Sequence, residues 1–499
     1  MLFIIIFTTI LSITTAVLYF YYNQSTRLIK KIPGPKSWPI IGNFFLAINY
    51  IFLDKQFRFF QSLPKQYGDV NQLHALNIRL VNISCPDAKV LSSSQYNFKE
   101  YPYTYLHKWL GDGLLLSNGN KWHQRRKMLT KAFHFNILKK FAMTFIEVTD
   151  VFLKELQKNE VSKEKSNVMP LISNATLRIM CETAMGISMR EEAETKLGPY
   201  LKSIKILGDC FIKRFTRSWL HFDQLFQLSD VAKTQNVAIT ELHSFTRKVI
   251  KNRRIYLADN LNQFDEDTDG YDGTKKLAML DLLLKNEKTG AIDTEGIREE
   301  VDTFMFEGHD TTAVALSFMI MALANEPEVQ KKIYEEMCGI FGDSDRLPTV
   351  EDLNEMKYLE CCIKESLRLY PSAPTIARHL TQEIVLGGYT VPANTTCVIF
   401  IYGMHRRADL FPEPERFIPE RFLSEPSKQR HPYSYVPFSA GARNCIGQKF
   451  ALLEMKVVIS GLLRKFHLDP VTKPSELVFK TDMILRTSNP IYVKFRSRK

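Results

Sequence analysis

The stretch FSAGARNCIGQKF, Phe438 to Phe450, sets one cysteine among glycines, two residues after an arginine. Glycine at 441 and 447 lets the backbone approach a bulky planar group closely. The following text, IGQKFALLEMKVVISGLLRKF, carries Phe450, Leu453, Val457 and Ile459 at near-helical spacing, so Cys445 stands at a helix N-terminus. Free amides and the positive end of the helix dipole stabilise a thiolate there. A thiolate serves as a nucleophile or as a metal ligand. A nucleophile wants a nearby base, and no histidine in the sequence is evident for that work. A haem iron suits the surroundings better, since the glycines make room for a porphyrin and Arg443 can pair with a propionate.

A second concentration of chemistry lies in EEVDTFMFEGHDTTAVALSFMIMALA, Glu299 to Ala324. Its apolar residues fall on several faces, which predicts a core helix starting near Asp293, about 33 residues and roughly 50 Å long. The middle of that helix, Glu307 to Thr312, is polar, and burying such groups unpaired costs several kcal/mol each. Glu307 and Thr311 are four apart and share a face, with Asp310 beside them. A threonine kink alone would not need two carboxylates.

Phe438-x-x-Gly441-x-Arg443-x-Cys445-x-Gly447 resembles the haem-binding signature of cytochromes P450. In that family a cysteine thiolate is the axial iron ligand; the resemblance, not the spacing, supplies the ligation. It implies a mainly α fold with small β-sheets, the cytochrome P450 fold, as one large domain behind an N-terminal transmembrane helix. Glu365-x-x-Arg368, taken alone, is an ordinary surface ion pair worth little. The resemblance implies that it is buried, joined by Arg421 of Pro419-Glu420-Arg421-Phe422, and holds the cysteine loop. Trp122 and Arg126, four apart on one helix face, are implied to reach one haem propionate, with Arg378 a further propionate partner.

Asp310-Thr311 is similar to the family's acid–alcohol pair. Thr311 is implied to open the helix ladder and bond the oxygen ligand, while Asp310 relays protons from solvent. EVDTFMFEGHDTT, Glu300 to Thr312, resembles the signature of the family-4 fatty-acid ω-hydroxylases. There the acid at the Glu307 position becomes an ester of a haem methyl, so a b-type haem linked through Glu307 is implied. The resemblance also implies a substrate wall of Phe304, Thr375, Ile376, Ala377 and the turn Met483 to Leu485, including Ile484. Rival readings keep the scaffold and change the use: xenobiotic or terpenoid and steroid substrates, peroxide isomerisation without a redox partner, or haem sensing without catalysis. The intact Asp310-Thr311 pair argues against the last two.

The elements that must carry these groups are also legible. In 499 residues, 45% hydrophobic and 12% aromatic, there is enough for a large core. Helical patterning runs from Lys121 to about Ile340. Short strands are expected in 67–84, 376–401 and 477–495, with hairpin turns at Gly387-Gly388 and Ser488-Asn489-Pro490. DEDTDG, Asp265 to Gly270, opens like a calcium loop, but Lys276 stands where the bidentate glutamate belongs, so it reads as a surface loop. Met1 to Tyr22 carries no charged side chain and is long enough to span a bilayer. It lacks the basic start and small-residue cleavage site of a signal peptide. Tyr19 to Tyr22 form an interfacial aromatic belt, and Arg27, Lys30, Lys31 and Lys36 follow, which places the rest in the cytoplasm. The expected organisation is an anchor at 1–22, a basic, proline-rich hinge at 23–39 and a catalytic domain at 40–499, in the endoplasmic reticulum membrane. The eight cysteines are then thiols and the sequon at Asn174 stays bare.

The formal charge is +12 and no nucleic-acid motif is present, so the basic balance points to an acidic membrane surface or partner. No dinucleotide fingerprint is found, so electrons come from a second protein. The implied donors are NADPH–cytochrome P450 reductase and cytochrome b5. Lys449, Lys456, Arg464 and Lys465 with Lys127 and Lys131 are expected to form their docking patch.

Overall fold

The run expected to begin near Asp293 forms one unbroken helix, Thr294–Asn325, of 32 residues. Asp293 caps it, its carboxylate accepting the Gly296 amide at 2.8 Å, and Glu295 in the first turn complements the dipole. From Gly296 to Ala324 every residue is buried except Glu307, Gly308 and Thr311. A helix apolar on all faces must be sheathed by others. Val168–Thr183, Asp230–Asp259, Lys357–Leu369 and Gln448–Lys465 pack on it. Phe135–Asn159 lies against Gln448–Lys465, where a Cβ on Gly461 would stand 2.9 Å from Leu153 Cδ1.

The structure is a computed structural model that describes residues 1, 4–9, 11, 12, 14, 15, 23–38, 41–43, 52–75, 78–86, 88–188, 193–260, 278–423 and 430–498. Residues 2, 3, 10, 13 and 16–22 of the expected anchor and the loop Asp265 to Gly270 lie outside the described residues. Among the described residues no helix is long and apolar enough to cross a membrane.

Small sheets border the helical body. The largest orders Val70–Ala75, Ile78–Ile83, Thr395–Ile399 and Ile376–Leu380, with the central pair parallel. Ile384–Leu386 and Tyr389–Val391 form the hairpin expected at Gly387-Gly388, both at positive φ, 54° and 84°, as its turn requires. The other hairpin departs from the sequence expectation. Phe479–Lys480 pairs with Arg486–Thr487, so the turn is 481–485, and Ser488 to Pro490 instead leads to another sheet. There Tyr492–Ser497 pairs with Phe466–Pro470 and Ser166–Asn167. Asn489 ties the connection down by accepting the Val478 amide at 3.0 Å.

Candidate active site

The cysteine loop is held by its own backbone. Cys445 N–H donates to Phe438 O at 2.9 Å and Asn444 N–H to Gly441 O at 3.1 Å. Gly441 sits at φ 70°, and a Cβ there would lie 2.0 Å from Leu91 O, so only glycine fits. Gly447 precedes the helix Gln448–Lys465 and its N–H points to the sulfur, favouring the thiolate. Burial first, then the Glu307 carboxylate, outweigh it and push the thiol up to about 11. Yet Cys445 keeps free surface. A sulfur enclosed by protein but still accessible borders an internal space.

Cations gather around that space. Arg126 grips the residue before the cysteine, its Nη1 donating to Asn444 O and its Nη2 to Asn444 Oδ1, both at 2.8 Å. Trp122 is buried, with the Arg443 guanidinium 4.3 Å above its ring. Arg443 also donates to the carbonyls of Asn97, Leu114 and Ser117 and to Asn118 Oδ1. Arg378 donates to Ala377 O at 2.9 Å and Ser439 Oγ at 3.2 Å. Among the described residues none of these three arginines lies within ion-pair distance of a carboxylate. Lys99, which the sequence reading passed over, is a fourth cation, its ammonium 5.0 Å from the Tyr103 ring centre. Burial, then the Arg378 charge, hold Lys99 well below the usual ammonium range, while Glu307 and Cys445 pull it back up. Burial pushes Arg443 down to about 9, with Arg378 adding to it. Lys99, the three arginines, Glu307 and Cys445 therefore share one electrostatic environment.

The long helix supplies the opposite wall. Glu307 and Thr311, one turn apart, are two of its three accessible interior positions. Burial raises the Glu307 pKa, with Lys99 and Arg126 opposing. The helix runs through Thr311 without a break, contrary to the expected opening: Thr311 Oγ donates to Glu307 O at 2.6 Å and Thr312 Oγ to Gly308 O at 2.7 Å. Ser372 Oγ donates to Thr311 O at 2.7 Å, giving that carbonyl a partner outside the helix. Asp310 is buried and faces Arg486 at 2.8 Å, and Arg486 in turn holds Asp482 at 3.3 Å. Leu485 N–H donates to Ser372 O at 2.8 Å, so the C-terminal hairpin meets both members of the Asp310-Thr311 pair. No local signal marks Ser372, Arg486 or Lys99, since each reaches the site across the fold.

The remaining expected residues are placed as follows. Glu365 and Arg368 are fully buried, paired through two hydrogen bonds of 2.7 and 2.8 Å, with Arg421 Nε 3.3 Å from Glu365 Oε1. Thr375 is exposed, Ile376 half-buried, and Ala377 and Ile484 buried. Phe304 is buried on the long helix. Its ring stacks on Phe133 at 5.6 Å, and Phe133 lies 3.9 Å from the Cβ position of Gly447, so Phe304 packs on the cysteine side. Lys456 is also misread by its spacing. It is buried and donates to Leu353 O and Glu360, because the helix dives into the core after Lys449, which is exposed with Lys127 and Lys131.

The family model described as Cytochrome P450 matches residues 32–495. The chain belongs to the cytochrome P450 family. This P450 is similar to Cytochrome P450 4c3 of Drosophila melanogaster, 41% identical over 96% of this chain and 92% of that one. It is 39% identical to Cytochrome P450 4c21 of Blattella germanica, over 98% and 99% of the two chains. It is also 39% identical to Cytochrome P450 4V2 of Homo sapiens, over 96% and 92%. Its relatives are thus family-4 cytochromes P450, the architecture above is the P450 fold in a single domain, and the enzyme is a haem-iron monooxygenase. The donor set fits a haem: one thiol at a helix N-terminus, glycines in its loop, and four cations, of which Lys99 and Arg126 feel the Glu307 carboxylate. Such a monooxygenase takes O2, a lipophilic substrate and electrons from a redox partner.

Proposed function

We propose that this P450 hydroxylates a fatty acid or related lipid at or near its terminal carbon, on a b-type haem ligated by Cys445 and ester-linked through Glu307. The observation that carries the reading is the position of Glu307, which opens with Thr311 onto the space that Cys445 borders. When bound, the haem supplies O2 activation and insertion of one oxygen atom into a C–H bond. The chain's own residues do the rest. Trp122, Arg126, Arg378 and Arg443 hold the acidic edge of the cofactor. Gly447 N–H and the helix behind it favour the sulfur anion. Thr311 presents its hydroxyl to the space, and Asp310 holds a proton route open through the Arg486 pair. Glu365, Arg368 and Arg421 keep the cysteine loop in register. Thr375, Ile376, Ala377 and Ile484 wall the substrate. A terminal C–H bond is stronger than its internal neighbours, so terminal selectivity needs a rigid approach, which a haem pinned at Glu307 would provide.

In this reading residues 1–22 anchor the protein in the endoplasmic reticulum membrane, 23–39 form the hinge, and 40–499 act in the cytoplasm. NADPH–cytochrome P450 reductase and cytochrome b5 dock over the exposed Lys127, Lys131 and Lys449. The test is a panel of fatty acids, terpenoids, steroids and xenobiotics with reductase and NADPH, with product position read by mass spectrometry. Terminal hydroxylation of the acids supports the reading; turnover confined to other classes overturns it. Haem that extracts freely from the denatured wild type shows that the ester is absent, and retention lost in Glu307→Ala shows that it forms there.

A further inference from the structure

Ser372 has no place in the reading above, yet it joins the Asp310-Thr311 pair to the hairpin that faces it. Its Oγ donates to Thr311 O at 2.7 Å, and its own carbonyl accepts the Leu485 amide at 2.8 Å. Next to Leu485 stands Arg486, whose Nη2 donates to both Asp310 oxygens, at 3.0 and 2.8 Å. Asp310 adjoins Thr311 in the chain. These contacts close a ring: Asp310 and Thr311 on the long helix, Ser372 beside it, and Leu485 and Arg486 on the hairpin. The Ser372 hydroxyl is not needed to satisfy a buried carbonyl, since in the unbroken helix Thr311 O already receives the Ala315 amide.

Ser372 is the rigid part of that ring. It follows the helix Lys357–Leu369 by three residues. On one side of it Tyr370 stacks on Phe318 of the long helix, with ring centres 4.9 Å apart and planes 7° from parallel. On the other side Pro374 O accepts the Tyr402 amide at 3.1 Å. The far link of the ring is built differently. Arg486 meets Asp310 with one nitrogen, while its Nε lies 3.3 Å from Asp482. A fork of two nitrogens fixes its own geometry. A single nitrogen between two carboxylates does not, so the place of the guanidinium depends on where the hairpin sits. The hairpin is tied one residue away, at Leu485, and the tie runs through Ser372.

We infer that Ser372 is a positioning residue for the Asp310-Thr311 pair: it ties the Thr311 main chain to the hairpin at Leu485 and so keeps Arg486 in register with Asp310. The inference rests on the reading of Asp310 and Thr311 as the proton-handling pair and adds the residue that places them. Proton handling decides the fate of the oxygen. One O2, two electrons from the redox partner and two protons give hydroxylated product and water when a C–H bond is attacked, and hydrogen peroxide when it is not. A pair out of register shifts that division toward peroxide.

The test uses the full-length, haem-loaded protein with reductase, NADPH and the compound of the panel above that the wild type turns over fastest. Product and peroxide are counted per O2, and amide hydrogen exchange of the hairpin segment 481–488 is measured alongside. Ser372→Ala is expected to leave KM and the urea midpoint unchanged, raise peroxide per product about threefold or more, and quicken exchange in the hairpin. Ser372→Thr keeps the hydroxyl and is expected to restore both readings. In an Arg486→Gln background Ser372→Ala is expected to add nothing to the peroxide ratio, because no guanidinium is left to place. Full additivity in that background, or an unchanged ratio or unchanged exchange in Ser372→Ala, overturns the inference while the reading of Asp310 stands. An Asp310→Asn protein with the wild-type peroxide ratio overturns both.

Discussion

Two clusters of buried charge lie beside the segment that leads to Cys445, and they are built in opposite ways. In one, Glu365 accepts from Arg368, Arg421 and the Ile418 amide, while Arg368 also donates to the carbonyls of His405, Pro414 and Arg416. His405 accepts the Val436 amide and stacks on Tyr435, just ahead of the loop. Every strong partner belongs to the chain. In the other, Lys99, Arg126, Arg378 and Arg443 share a space with Glu307 and Cys445, and among the described residues the three arginines have only neutral acceptors. Buried ions are tolerated when paired. A cluster closed on itself is a folding device, whereas a surplus of one sign marks where an oppositely charged ligand completes the pairing.

The largest effect expected from that contrast is in the closed cluster. Glu365→Ala strands Arg368 in the core and should cost about 3–5 kcal/mol, lowering the urea midpoint of the haem-loaded and haem-free protein alike. An unchanged midpoint would remove the structural role.

Acid should open the same cluster. Burial first, then the Arg368 charge, hold the His405 imidazole neutral and depress its pKa from 6.5 to about 3. Between those values the unfolded chain binds the extra proton, so stability present above pH 6.5 is lost as pH falls toward 3. The loss is on the order of 2–4 kcal/mol, and His405→Gln, which keeps an acceptor for Val436, should flatten melting temperature against pH across that window.

The open cluster should respond the other way round. Arg378→Gln removes one of several mutually repelling cations, so the haem-free protein should hold or gain stability while haem transfer to an acceptor globin quickens about tenfold. Equal destabilisation of both forms would make Arg378 a member of the closed type. The smallest effect is on the surface: Lys449→Glu should raise the reductase concentration for half-maximal turnover about threefold at low salt, and the difference should vanish at high salt. Turnover untouched at low salt would leave Lys449 as solvated surface.

How much was readable in advance follows the distance over which each feature is encoded. Cys445 and its glycines lie in one short window, and the polar interruption at Glu307 to Thr312 in one helix, so both could be found locally. The Gly387-Gly388 hairpin was equally local, while the second hairpin was misplaced because Asn489 and Pro490 look like a turn whichever strands they join. Lys456 was misjudged because seven-residue spacing describes one helix face but not what lies against it. The stacking of Phe304 on Phe133 was likewise not legible, since Phe133 comes from a distant element.

The sequence by itself determined the P450 family, through the resemblance of the window around Cys445 to the haem-binding signature, and placed a polar interruption in a core helix. Those constraints are short-range: a left-handed φ, a helix terminus, a one-turn spacing. Only the tertiary structure decided which charges remain uncompensated. Lys99 joins the arginines and Arg486 takes Asp310, each across the fold. Burial and Coulomb interaction depend on the surroundings in space, and no spacing along a chain states them.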